Sequence, residues 1–261
     1  MSSYSELTIN NATAQESIIL ALDTSSKVTS LAVAYGDRLL RSIAEVQDEK
    51  RSETLWSEIK SLLEGLGKTI ADVAVFGICT GPGGFTGLRV GISAVKGFSA
   101  ATNKPIVGVT SLEAAAAAAG VTGLVCVLVN AYKGEVYSQL FSVEGEGLPQ
   151  SMNEPMVSSY TVALERVSDL NDLSITGDAV EPGREIINEF VASHKRDKWA
   201  ANKSQCELAA AIVKIAYLRS GRQEFDNSNS LRACYVRPSE AEIKLSLGLL
   251  GSKIKRSMRS E

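Results

Sequence analysis

The folded part of the chain opens with short apolar runs separated by polar turns. Residues 18–22, 28–35 and 39–46 are rich in aliphatic and β-branched side chains, and Gly36-Asp37 separates the last two runs. Runs of this length between turn residues are typical of β-strands. We therefore predict three antiparallel strands before the first helix.

Helical periodicity begins after these strands. Residues 53–66 carry apolar side chains three and four positions apart, which predicts an amphipathic helix. A strand at 73–79, a helix at 87–101, a strand at 106–109 and an alanine-rich helix after Thr110 follow. The apolar stripe of the first helix consists of Leu55, Trp56, Ile59, Leu62 and Leu63.

The second half of the chain begins like the first. Residues 124–129 form an apolar run that ends in Asn130, as the first run ends in Asp23, and a second run follows at 136–143. Helical patterns appear near 183–192 and 207–219. A weak repeat of this kind predicts two lobes related by duplication.

We expect the domain boundaries to follow this repeat. The lobes are predicted at residues 18–119 and 120–243. Residues 1–17 are polar and predicted to be a disordered extension, and residues 244–261 are predicted to be a basic, solvated tail.

A glycine-rich loop stands between the predicted strand at 73–79 and the next helix. It is not a P-loop, because Leu88 and Arg89 stand where Lys and then Ser or Thr are needed. The dinucleotide fingerprint also fails, since Thr86 takes the place of the third glycine. Two interpretations of the loop remain: a looser anion-binding nest of backbone amides, and a purely structural turn, which is favoured. The candidate nucleotide-binding residues are Asp23, Thr24, Ser25, Gly81, Gly83 and Gly84.

The helix after this loop has a face of small residues. Gly91, Ala94 and Gly97 lie among larger apolar residues, and each glycine costs a helix roughly 1 kcal/mol relative to alanine. We expect the small face to let another helix approach closely.

Composition and charge limit the function classes. The hydrophobic content is 44% and the net charge is −3. A net negative charge argues against nucleic-acid binding by the chain as a whole. Four cysteines are far apart without a C-x-x-C pair, which fits a reduced cytoplasm. The apolar runs are too short for a membrane span, so we expect no membrane association.

Five short motifs carry a resemblance to a known family. They are Leu22-Asp23-Thr24-Ser25, Gly81-Pro82-Gly83-Gly84-Phe85-Thr86-Gly87-Leu88-Arg89, Gly108-Val109-Thr110-Ser111-Leu112, Lys133-Gly134-Glu135-Val136-Tyr137 and Tyr235-Val236-Arg237-Pro238. Together they resemble the bacterial TsaB (YeaZ) family over roughly residues 18–242. The resemblance implies a two-lobed α/β fold, the duplicated ribonuclease H-like (ASKHA) fold of actin, sugar kinases and Hsp70.

The resemblance also implies a function and partners. The family serves the synthesis of N6-threonylcarbamoyladenosine at position 37 of tRNA, as a non-catalytic relative of the catalytic subunit TsaD. Implied partners are a TsaD-type subunit and a TsaE-type ATPase, with tRNA bound only through the complex and homodimers formed when the chain is alone. No tightly bound cofactor is implied, although ATP or ADP at the interface of the complex stays open.

Relatives use two helices of the first lobe to pair, which implies a partner interface on this chain. Its candidate residues come from the helices at 53–66 and 87–101. They are Leu55, Trp56, Ile59, Leu62, Leu63, Gly87, Val90, Gly91, Ala94, Val95 and Phe98.

The residues argue against catalysis by this chain. A TsaD-type metal site needs two histidines one helical turn apart, and the chain has one histidine, His194, so we expect no metal. Asn130 and Tyr132 stand where the family commonly has Asp and Arg, and an amide cannot act as a general base.

Two other functions stay open. A small ASKHA-type ATPase or kinase is favoured by Asp23 and the glycine loop, although the turn after Asp23 lacks glycine. For Asp23, a hydrogen-bonded cap of that turn is the favoured interpretation. A direct tRNA-binding module rests only on the basic residues of the tail, which are Lys253, Lys255, Arg256 and Arg259.

Overall fold

The computed structural model describes residues 16–46, 51–145, 147–202 and 207–237. The predicted basic tail and nearly all of the predicted N-terminal extension lie outside these residues. None of the helices within them is long and apolar enough to cross a membrane.

The first half of the chain forms a five-stranded sheet with three helices. Its strands are β1 (Ile18–Asp23), β2 (Val28–Tyr35), β3 (Arg38–Val46), β4 (Val73–Gly81) and β5 (Ile106–Thr110). Its helices are α1 (Arg51–Glu64), α2 (Phe85–Thr102) and α3 (Ser111–Ala118). The strand order is β3-β2-β1-β4-β5. The three antiparallel strands predicted from the sequence are confirmed, and β4 and β5 run parallel to β1.

The second half repeats this arrangement. Its strands are β6 (Gly123–Asn130), β7 (Glu135–Val143), β8 (Gln150–Ser151), β9 (Met156–Ser159), β10 (Leu173–Thr176) and β11 (Trp199–Ala201). Its helices are α4 (Tyr160–Glu165), α5 (Arg184–Ser193) and α6 (Leu208–Gly221). The antiparallel pair β6-β7 is equivalent to β1-β2, and the parallel strands β10 and β11 are equivalent to β4 and β5.

Three apolar cores hold the layers together. The central core packs α3 and α6 between the two sheets, with Leu112 and Ile212 against Val75 and Val127. A second core packs α1 and α2 on the outer face of the first sheet, and a third packs α4 and α5 on the outer face of the second. The helices α1 and α2 therefore form one outer surface of the molecule.

The chain returns to the first lobe after α6, along residues 226–237. Asp226 accepts a hydrogen bond from the N–H of Gly108 (2.7 Å) and donates its own N–H to Ile106 (2.8 Å), which covers the outer edge of β5. Leu231 is buried in the core under α1 and α2, and the N–H of Cys234 donates to the carbonyl of Thr80 (2.7 Å). The last described residues therefore lie beside the glycine loop.

Candidate functional site

A groove runs between α1 and α2 on the outer surface. Trp56 is half exposed, and its ring centroid lies 5.5 Å from that of Phe98, which in turn lies 5.9 Å from that of Phe76 in the core. An aromatic chain thus leads from the surface to the sheet. The groove has a volume of about 490 Å³, and its lining consists of Leu55, Trp56, Arg89, Val90, Ser93, Ala94 and Phe98.

The structure divides the residues that the sequence assigns to a partner interface. Trp56 is exposed, and Val90, Ala94 and Phe98 are partly buried along the groove. Leu55 is buried but lines the groove floor. The other six are buried, namely Ile59, Leu62, Leu63, Gly87, Gly91 and Val95.

The burial shows that six of the eleven residues pack inside this chain, while the role of the eleven in a partner interface stays a prediction. The apolar stripe of a helix serves first to pack the helix on its own sheet, and periodicity does not distinguish packing residues from contact residues. Of the eleven residues, the five that line the groove are available to a second molecule in this conformation.

Two groove residues were missed by the sequence analysis as interface residues. Arg89 is exposed and is the one charged residue in the groove lining, and Ser93 is exposed one helical turn further on. The spacing of three and four residues that links Val90, Ser93, Ala94 and Phe98 is the signal that would have found this face.

The glycine loop lies directly on the turn that follows β1. The N–H of Gly84 donates to the carbonyl of Ser25 (2.6 Å), and the hydroxyl of Thr24 donates to the carbonyl of Gly87 (2.8 Å). A Cβ at position 83 would lie 2.3 Å from the carbonyl oxygen of Ser25. The structure therefore brings the candidate nucleotide-binding residues together, but as two backbone segments in contact. This contact explains why position 83 is a glycine.

Asp23 and Asn130 make equivalent turns in the two lobes. The Oδ1 atom of Asp23 accepts a hydrogen bond from the N–H of Ser25 (2.8 Å), and the Oδ1 atom of Asn130 accepts one from the N–H of Tyr132 (2.8 Å). Each side chain thus caps the turn after the first strand of its lobe. The cap predicted for Asp23 is confirmed, and an amide makes the same turn at Asn130.

A second carboxylate faces this region from the other lobe. Asp178 follows β10 and accepts a hydrogen bond from the N–H of Asn130 (2.8 Å) through Oδ1. Burial raises the pKa of the Asp178 carboxyl, and the charge of Asp23 adds to this effect, against the lowering effect of the Asn130 N–H. The sequence analysis gave Asp178 no role, although its place after a strand was the available signal.

Beyond Asp23 and Asp178, the described cysteines and carboxylates offer little reactive chemistry. Burial raises the pKa of the Cys79 thiol well above its usual range and that of Cys126 to about 12, so both thiols stay neutral and behave as small apolar side chains. Cys206 lies outside the described residues. Within the described part of the chain, no group of three or more His, Cys, Asp or Glu side chains is placed to hold a metal ion.

The end of the described chain meets the start of α2. The ring centroids of Tyr235 and Phe85 lie 5.0 Å apart. The guanidinium carbon of Arg89 lies 3.8 Å from the centroid of the Phe85 ring. Arg237 forms an ion pair with Glu135 at the start of β7. Residues 234–237 therefore connect the groove end of α2 with the second lobe.

Comparisons with known proteins agree with this architecture. The profile of a family described as TsaD, tRNA N6-adenosine threonylcarbamoyltransferase, matches residues 39–245. Proteins named tRNA threonylcarbamoyladenosine biosynthesis protein TsaB from Escherichia coli and Bacillus subtilis are 25% and 29% identical to the chain over 162 and 133 residues. The chain belongs to the TsaD family, in its TsaB (YeaZ) branch. The resemblance stated from the sequence motifs is thus confirmed.

The extent of these matches differs between sequence and structure. The match to the Escherichia coli TsaB protein covers 60% of this chain and 69% of that protein, and the match to the Bacillus subtilis protein covers 51% and 58%. The structure of YeaZ from Pseudomonas aeruginosa superimposes with a TM-score of 0.64 at 21% identity, over 84% of this chain and 99% of that chain. The two-lobed α/β fold expected from the sequence is therefore confirmed.

Proposed function

We propose that this chain is a subunit of the system that makes N6-threonylcarbamoyladenosine in tRNA, and that it binds and activates a TsaD-type catalytic subunit. The names of its TsaB relatives support the pathway. A TsaE-type ATPase belongs to the same proposed assembly, tRNA is bound only through the complex, and the complex works in the cytoplasm.

The groove between α1 and α2 carries the proposal. It presents a half-exposed tryptophan beside Phe98 in a cavity of about 490 Å³. Large aromatic side chains in such clefts are the usual anchors of protein interfaces. A pair of helices from a partner, packed against α1 and α2, would bury these anchors as a four-helix arrangement.

We propose that the chain itself has no catalytic activity. Its single histidine, His194, stands at the C-terminal end of α5, with its Nδ1 atom 3.0 Å from the carbonyl oxygen of Phe190. Asn130 takes the place of a carboxylate in the second lobe, and an amide is a weak cation ligand.

A nucleotide is proposed to bind only at the interface of the complex. The N–H of Gly84 donates to the carbonyl of Ser25, and the loop is packed on the Asp23 turn, which argues against a phosphate cradle formed by this chain alone. The remaining argument for an ATPase is the pair of carboxylates Asp23 and Asp178, one from each lobe, of which the charge of Asp23 raises the pKa of Asp178. We keep that activity as the second candidate.

One experiment tests both proposals. Formation of the modified nucleoside is measured with purified TsaD-type, TsaC-type and TsaE-type subunits, tRNA and this chain. Ser93→Arg places a long side chain in the groove without touching the core, and Ser61→Arg is the matched control on an exposed position of α1 outside the groove. We expect Ser93→Arg to abolish activity and binding to the TsaD-type subunit, and Ser61→Arg to retain both.

The Asp23→Asn variant separates a binding subunit from a catalytic one. An amide keeps the turn, as Asn130 demonstrates, while the charge is removed. We expect full activity from this variant. Loss of nucleoside formation or of nucleotide hydrolysis, with partner binding intact, would show that the chain contributes chemistry and that the non-catalytic proposal is wrong.

A further inference from the structure

Three of the five sequence motifs meet at the end of the described chain. Tyr235 and Arg237 come from the last motif, Phe85 from the glycine loop and Glu135 from the motif at the start of β7. Tyr235 contacts Phe85 in the first lobe, and Arg237 contacts Glu135 in the second. The function proposed above makes no use of this junction.

The segment that follows α6 is held firmly at one point and lightly beyond it. Leu231 is 6% exposed in the core under α1 and α2. Beyond it, Cys234 is partly exposed and its N–H donates to the carbonyl of Thr80 (2.7 Å), and Tyr235 is 45% exposed. Segments held by surface contacts open locally at low cost in free energy. Detachment of residues 234–237 would therefore leave the core around Leu231 filled.

The far end of this segment is fixed to the second lobe by one ion pair. The side chains of Arg237 and Glu135 are 28% and 36% exposed. Tyr137, two residues further along β7, packs against the central core between the sheets. Burial raises the pKa of the Tyr137 hydroxyl, and the charge of Arg237 lowers it. Arg237 thus reaches the border of the central core, through an ion pair of a kind that contributes little free energy and can open.

The near end of the segment lies against the start of α2. The ring of Phe85, the first residue of that helix, has the ring centroid of Tyr235 at 5.0 Å and the guanidinium carbon of Arg89 at 3.8 Å. Arg89 lines the groove. A continuous set of contacts therefore runs from the second lobe through the segment to the groove.

We propose that residues 234–237 form a latch between the second lobe and the start of α2. The ion pair of Arg237 with Glu135 holds Tyr235 against the Phe85 ring, and its opening frees the first turns of α2. A change in the second lobe is thereby transmitted to the helix that lines the groove.

The thiol of Cys234 reports on the latch. Burial raises the pKa of this thiol, and the thiolate is the reactive form, so detachment accelerates its reaction with a maleimide. Labelling of the full-length chain is followed by mass spectrometry of the peptide that contains Cys234. The peptide with Cys79, which is fully buried, serves as the reference for unfolding of the whole first lobe.

The variants remove either side of the ion pair. We expect Glu135→Gln and Arg237→Gln each to accelerate labelling of Cys234 about two- to fivefold, the range of a partly exposed ion pair. The double variant should react no faster than the faster single variant, because both changes remove the same contact. Amide hydrogen exchange in residues 85–91 should also become faster in Glu135→Gln, while labelling of Cys79 stays unchanged.

The matched control is Asp172→Asn, which removes an exposed ion pair with Lys198 inside the second lobe and should change none of these rates. Unchanged labelling of Cys234 in Glu135→Gln would mean that the ion pair does not hold the segment. Equal acceleration at Cys234 and Cys79 would mean that the variants loosen the whole lobe. Faster labelling without faster exchange in residues 85–91 would mean that the segment and α2 are independent. Each of these three results overturns the latch.

Discussion

Gly83 in the loop and Gly91 in α2 are explained by close contacts rather than by backbone conformation. Gly91 lies in a helix, yet a Cβ there would stand 2.3 Å from the hydroxyl oxygen of Thr24 and 3.2 Å from Ile78. Gly97 lies on the same helix with nothing within 4 Å of its Cβ position. Packing therefore requires a glycine at position 91, whereas at position 97 it leaves room for a side chain.

These two glycines make a matched pair for mutation. Gly97→Ala is expected to stabilise the protein by about 0.5–1 kcal/mol, because alanine is the better helix former. Gly91→Ala is expected to destabilise it by about 1–3 kcal/mol, because the Thr24 turn must move. Urea unfolding of both variants measures the difference. Equal stabilisation in the two would contradict the close packing of α2 on the Asp23 turn.

At the scale of elements, the segment after α6 holds the outer edge of the first sheet. Leu231 is 6% exposed and packs into the core under α1 and α2, and Asp226 occupies the free edge of β5 through Gly108. Without this segment, β5 would be an exposed edge strand next to the glycine loop. Its anchoring therefore supports the helices that form the groove.

Leu231→Ala tests this anchoring. We expect a loss of about 2–4 kcal/mol in the free energy of unfolding, the usual cost of truncating a buried leucine. The amide of Gly108 should also exchange faster with solvent. Leu39→Ala, on the edge strand β3 at a position that is 46% exposed, is the control and should change stability by less than about 0.5 kcal/mol. Identical losses in both variants would argue against a structural role for the segment.

The same comparison of elements shows what the sequence could predict. Apolar periodicity located most of the strands and helices, because local spacing decides which face of an element is buried, but it did not predict β8, β9, α4 or β11. It did not predict that the charge of Asp23 raises the pKa of Asp178 or that the N–H of Cys234 donates to the carbonyl of Thr80, because these interactions join residues that are far apart in sequence. Nor could it say which side of the α1 stripe faces outward, since Trp56 fits the apolar pattern while lying half exposed.

At the scale of the molecule, the helices and sheets form five layers: α1 and α2, the first sheet, α3 and α6, the second sheet, and α4 and α5. The outer helices α1 and α2 therefore have one face on the sheet and one face uncovered. The central helices α3 and α6 are enclosed between the sheets, so they cannot take part in an interface without opening the lobes. We therefore propose that a second copy of this chain and the TsaD-type subunit compete for the groove.

Competition for one face has a measurable consequence. Sedimentation velocity of the chain alone is expected to show a monomer–dimer equilibrium, and adding the TsaD-type subunit should replace the homodimer by a 1:1 complex. The apparent affinity for that subunit should fall as the concentration of this chain rises, because the homodimer withdraws free groove by mass action. Ser93→Arg should abolish both species, since both need the space between Trp56 and Ala94. A complex that contains two copies of this chain still joined through α1 and α2 would show that the two partners use different surfaces.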